Sequence, residues 1–166
     1  MPLQTAGVLN ATSLLPGPVA PGEAIGVVGS APADAGLSFD GAPAQILSAP
    51  PNRIEAIVPA PLSGTMTQLQ VTSQVQTVAN LVLPVAPAAP AIFTADGGGS
   101  GQGAILNEDL TFNSACNPAA RGSIITLLAT GVGPAQDALS VQVGGIDCQV
   151  LYTEPPDVFN PGVLRV

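Results

Sequence analysis

The 166-residue chain carries a net charge of −8 from eleven acids and three arginines, with no Lys and no His. Arg53, Arg121 and Arg165 form no basic patch, which excludes nucleic acid as a partner and leaves nothing to dock on anionic lipid. The missing His removes Ser-His-Asp and Cys-His catalysis, and no apolar run reaches the ~18 residues of a membrane span.

Hydrophobic residues make up 46% of the chain but aromatic ones only 3%, with no Trp, so any core is built from Val, Ile, Leu and Ala. Gly 19 and Pro 18 interrupt the chain every few residues. No stretch offers several turns of helix, and the chain reads as all-β. Only 8% of residues are charged, against roughly 25–35% on an ordinary soluble surface. That suits a secreted or cell-surface protein, or a subunit covered by neighbours. Met1 to Gly7 contain no secretory signal, so an exported protein would carry its signal upstream.

In chain order, Val8–Leu15 is predicted as an edge strand ending at Pro16-Gly17-Pro18, and Ala24–Val28 as a buried central strand. A loop covers Ala31–Gly36. Leu37 and Phe39 alternate into Asp40-Gly41, a strong hairpin signal because glycine tolerates positive φ. Ala44–Leu47 returns and Ile54–Val58 follows. Leu69–Ser73 and Val75–Val78 alternate with period two, as half-buried antiparallel strands do, and Leu81–Val85 closes the unit. Pro84–Pro90 is a proline-rich, semi-rigid linker. Beyond it come Ile92-Phe93, the loop Asp96–Gly103, strands at Ala104–Asn107 and Ser123–Thr130, a hairpin of Leu139–Val143 and Cys148–Tyr152 about Gly144-Gly145, and a last strand from Gly162.

One pattern occurs twice. Gly22–Ser30 is answered by Gly122–Thr130, Gln45-Ile46-Leu47 by Gln149-Val150-Leu151, and Pro50-Pro51 by Pro155-Pro156. Such self-similarity predicts two similar units, 1–85 and 86–166. Ile25 and Val27 should face one interior, Ile125 and Leu127 the other. The second unit has no counterpart to Leu69–Val85 and is expected to be short by two strands. That leaves an edge open to a strand from another chain, with a neighbour's Val8–Leu15 as the donor.

No catalytic, cofactor or metal constellation is predicted. The glycine-rich loop Gly97–Gly103 lacks the Lys-Ser or Lys-Thr of a phosphate loop and reads as a connector. Asp96, Glu108 and Asp109 are the acids a loop-built calcium site would draw on, but the scattered acids fit turns better. Paired carboxylates for glycoside hydrolysis would want aromatic platforms, and Phe39, Phe93, Phe112, Tyr152 and Phe159 are few. Asn10-Ala11-Thr12 matches the glycosylation acceptor by a short pattern that carries no weight. Cys116 and Cys148 both fall in the second unit. In an exported protein they are expected to form a disulfide worth on the order of 3–4 kcal/mol, with two buried thiols as the alternative.

Leu9–Ser13 followed by Val19–Glu23, then Pro87–Thr94, Gly101–Asn107 and Asn113–Ser123, resemble the Ig-like C-terminal domain family of secreted acidobacterial (Solibacter-type) proteins. That family is similar to IPT/TIG Ig-like modules. The resemblance spans nearly the whole chain and is most specific over 87–131. It implies tandem Ig-like β-sandwiches at the end of large exported proteins, without enzymatic activity and without binding residues to carry over. The expected function is a non-catalytic extracytoplasmic structural or adhesion module working through protein–protein contacts. A self-assembling surface or filament subunit is the alternative, and a carbohydrate-binding accessory module a weaker one.

Overall fold

A computed structural model describes residues 7–29, 34–74, 76–134, 139–156 and 160–166. Parts of the sequence reading at Met1–Ala6, in the Ala31–Gly36 loop, at Val75 and at Phe159 lie outside these residues. The protein is all-β, and the described residues include no helix. The strands are β1 (Val8–Asn10), β2 (Ala24–Val28), β3 (Gly36–Phe39), β4 (Ala42–Pro43), β5 (Gln45–Ser48), β6 (Arg53–Ile57), β7 (Met66–Ser73) and β8 (Gln76–Pro84). They continue as β9 (Ala91–Ile92), β10 (Ile105–Asn107), β11 (Ile125–Thr130), β12 (Val141–Val143), β13 (Ile146–Cys148) and β14 (Leu164–Arg165).

The N-terminal half builds two four-stranded antiparallel sheets, β1-β2-β6-β5 and β4-β3-β7-β8. The switch between them follows from local chemistry. Asp40 (φ 49°) and Gly41 (φ 85°) both adopt the left-handed conformation that a two-residue hairpin requires. β4 pairs with β3, and the chain then crosses so that β5 pairs with β6. Alternation sends Val8, Ile25, Val27, Ile54 and Ala56 from one sheet and Leu37, Phe39, Leu69, Val71 and Leu83 from the other into one buried cluster. Ile25 and Val27 are 1% and 0% exposed, as period two demands.

Several boundaries differ from expectation, among them the strand returning from the Asp40-Gly41 turn, which is Ala42–Pro43, the expected Ala44–Leu47 segment pairing with β6 instead. Residues 76–84 form a single strand rather than two, because pairing with β7 carries straight through Asn80 and absorbs a bulge opposite Val71 and Thr72. The N-terminal strand is only Val8–Asn10 and is no free arm. It pairs with β2, buries Val8 to 2%, and turns back where Leu14 N–H donates to Asn10 O. Donation of this strand to a neighbour is therefore opposed by its place in its own sheet.

The C-terminal half is thinner. β11 is central, with β10 and β9 on one side and β14 on the other. β12 and β13 form a separate hairpin about Gly144-Gly145. The predicted return strand ends at Cys148, and residues 149–152 are not in a strand. Leu127 is 6% exposed, whereas Ile125 is only half-buried.

Candidate functional site

The two halves share a local construction that the sequence comparison touched only in part. β1 pairs Val8 with Val27 and Asn10 with Ile25, while β10 pairs Ile105 with Leu127 and Asn107 with Ile125. After each asparagine the chain turns back on itself, the second turn being one residue shorter than the first. Asn10 N–H donates to Leu15 O and Leu14 N–H to Asn10 O; Asn107 N–H donates to Thr111 O and Leu110 N–H to Asn107 O. Leu14 (φ 54°) and Leu110 (φ 65°) occupy the matching left-handed position. Gly22 and Gly122 repeat the positive φ, and Arg53 faces Val28 as Arg165 faces Leu128.

Polar side chains hold these turns. Asn10 Oδ1 accepts from Thr12 N–H (2.9 Å), from Ser13 N–H (3.1 Å) and from the Thr12 hydroxyl. Asn107 Nδ2 donates to Asn117 O (3.1 Å), and Asn117 Nδ2 donates in turn to Thr111 Oγ1 (2.8 Å). Asp40 accepts from Thr67 Oγ1 and Gln68 N–H, locking the β3–β4 hairpin onto β7. Those donors, the Thr67 hydroxyl foremost, hold the Asp40 carboxyl below its usual range. The same happens at Asp34 through Ser73, at Asp96 through Gly98 N–H and at Asp109 through Thr111. Asp96, Glu108 and Asp109 do not converge, and among the described residues no three His, Cys, Asp or Glu side chains gather as a metal site. The Asn10 amide that a glycan would need is already donated to Glu23 (2.8 Å).

Cys116 and Cys148 are not joined. Both are free and exposed, and they lie far apart. Cys116 sits in the Ser114–Asn117 turn laced to the end of β10, whereas Cys148 ends the β12–β13 hairpin, which stands off that sheet. The glycine-rich loop cradles no ligand group. Gly99, at φ 76°, presses on the Ser13 carbonyl, where a Cβ would come within 2.6 Å, so the loop is a contact between the halves.

That junction continues inward. Ala24 N–H donates to Thr130 Oγ1 (2.8 Å), and Ala89 N–H of the linker donates to Gly131 O (2.7 Å). Gly131 and Gly133 lie so close to the linker that a Cβ would meet the Ala89 and Pro87 carbonyl oxygens at 2.2 and 2.0 Å. At its centre is Glu23, 2% exposed and the one buried carboxylate among the described residues. Burial pushes it up to about 7, against the opposing pull of the Ala20 N–H and the Asn10 amide. Sequence reading placed Glu23 within the repeated segment and missed its burial. The available signal was the total absence of charge in the segments around it.

The second feature is a groove of about 600 Å³ between β11 and the β12–β13 hairpin, lined by Ile125, Leu127, Val141, Val143, Leu151 and Tyr152 among others. In β2 the equivalent Ile25 is paired with Ala56 of β6. Ile125 is paired with Asn107 of β10 and is half-buried at the groove. No family model, curated protein or solved structure matches the chain.

Proposed function

We propose that this chain is a non-catalytic structural or adhesion module of an exported protein, built as two tandem Ig-like units. The observation that carries the reading is the strand pairing that occurs twice, Asn10 opposite Ile25 and Asn107 opposite Ile125, each followed by a left-handed leucine and a left-handed glycine, Leu14 and Gly22 or Leu110 and Gly122. Polar side chains that could serve a reactive site are engaged in holding turns. The sparse charge and the family resemblance support an extracytoplasmic location. Protease shaving of intact source cells, read by mass spectrometry, should release peptides of this chain before any cytosolic marker. Recovery only after lysis would contradict the assignment.

The apolar groove beside β11 favours a second reading, a subunit that associates with a second copy of itself. Among the described residues Arg121 is the only charged side chain lining the groove, so two chains of net charge −8 can meet there without opposing acids. Sedimentation over a concentration range should give a dimer that Ile125→Arg abolishes. A chain that remains monomeric at high concentration would contradict this reading.

A further inference from the structure

Glu23 sits where four parts of the chain meet. Its Oε1 accepts from Asn10 Nδ2 (2.8 Å) and its Oε2 from Ala20 N–H (2.7 Å). Its backbone carbonyl accepts from Val58 N–H. Gly131 lies over the side chain, so close that a Cβ there would stand 3.4 Å from Glu23 Cγ. The Asn10 amide is shared, since Nδ2 also reaches Ala89 O of the linker at 3.5 Å. Oδ1 of Asn10 is occupied by Thr12 and Ser13, so this amide cannot flip without breaking the turn.

The charge around this carboxylate is unusual. The residues placed against it, Asn10, Ala20, Val58 and Gly131, and Ala89 beside Asn10, carry no titratable side chain. The described arginines are engaged or remote: Arg53 pairs with Glu55 and Arg165 with Glu154, and Arg121 lines the far groove. Asp137 and Asp157 lie outside the described residues. Among the described residues an ionised Glu23 thus has two neutral donors and no cation, an arrangement that penalises the charge. Hydration would relieve it, and the close cover of Gly131 is what keeps water from that side of the carboxylate.

We propose that Glu23 makes the contact between the two halves pH-dependent, holding it closed in acid and loosening it as the pH rises toward neutrality. The sign follows from proton binding. In the closed protein the group is raised from 4.5 to about 7, chiefly by burial, while an opened, hydrated Glu23 returns toward the ordinary value. The closed form therefore holds its full advantage below about 4.5 and loses it progressively up to about 7. That interval is on the order of 300-fold in the closing equilibrium. No His titrates within it, and the acids held by turn donors, Asp34, Asp40, Asp96 and Asp109, all shift the other way.

The experiment is hydrogen–deuterium exchange on the full chain from pH 4 to 8.5, corrected for intrinsic rates, comparing segments 86–92 and 128–134 with β7 and β8. Junction protection should fall roughly 100-fold between about pH 4.5 and 7 and level off above that while β7 and β8 hold, and Glu23→Gln should abolish that fall. Flat junction protection, an equal loss in β7 and β8, or the same fall in Glu23→Gln would overturn the proposal. Glu23→Gln presents an amide NH2 to one of two donors and can fail to fold. Carboxyl ¹³C titration of the unaltered protein decides independently: a Glu23 midpoint above about 6 supports the proposal and one below about 5 overturns it.

Discussion

Asn10 and Asn107 show how single side chains set this architecture. Each ends a strand beside the central one and then ties the following segment to itself, Asn10 by accepting from the Thr12 and Ser13 amides and Asn107 by donating to Asn117 O. Removing Asn10 strands the Thr12 and Ser13 amides and deprives Glu23 of a donor. Asn10→Ala should therefore destabilise by about 2–3 kcal/mol in denaturant titrations, since each orphaned buried group costs about 1–3. Leu110 is a different case. It is 73% exposed and left-handed at φ 65°, so its side chain gains little burial while its backbone is strained. Leu110→Asn should stabilise by about 0.5–1 kcal/mol, because asparagine tolerates this conformation. The Val8-Leu9-Asn10 and Ile105-Leu106-Asn107 match was present in the sequence but hidden from comparison at a fixed offset. Twelve positions separate Asn10 from Gly22, and fifteen separate Asn107 from Gly122.

At the scale of elements, strands with a local signature were legible and those decided by partners were not. Ala24–Val28 and the Asp40-Gly41 hairpin stand where alternation and turn chemistry put them. Val75–Val78 and Leu81–Val85 read as two strands, yet β8 runs on through Asn80 because β7 supplies a continuous template. Cys148–Tyr152 looked like a strand, yet only Ile146–Cys148 finds a partner in β12. The cysteine pairing failed for the same reason, since proximity in the chain cannot place a hairpin against a distant turn. The linker is likewise set by contacts that only the fold reveals, the glycines of residues 131 and 133 lying against its carbonyls. A paired experiment isolates that contact. Gly122→Ala, with open space and φ 81°, should lose only the left-handed penalty of about 1–2 kcal/mol. Gly131→Ala, with φ 74° and the Ala89 oxygen in the way, should lose at least about 2 kcal/mol more. Equal losses in thermal unfolding would remove the linker contact from the account.

Over the whole molecule the two halves differ in how deeply they bury their apolar side chains. The first closes two sheets over Phe39, Ile25, Ile54 and Leu69, all below 2% exposed. Among the described residues the second has one sheet, a detached hairpin and large apolar side chains in solvent, with Ile146 at 72% and Phe112 at 62%. That difference was not legible in the sequence, because burial depends on where the β12–β13 hairpin settles. Core truncations should reflect the difference. Ile25→Ala should cost about 3–5 kcal/mol, whereas Leu127→Ala, beside an open groove, falls near the lower end at about 2. Native-state hydrogen exchange tests most directly the central claim that the two halves differ in burial. The amides of Ile25 and Val27 should exchange only through global unfolding, while those of the exposed β12–β13 hairpin exchange at least about 100-fold faster. Equal protection of β2 and of this hairpin would contradict the account.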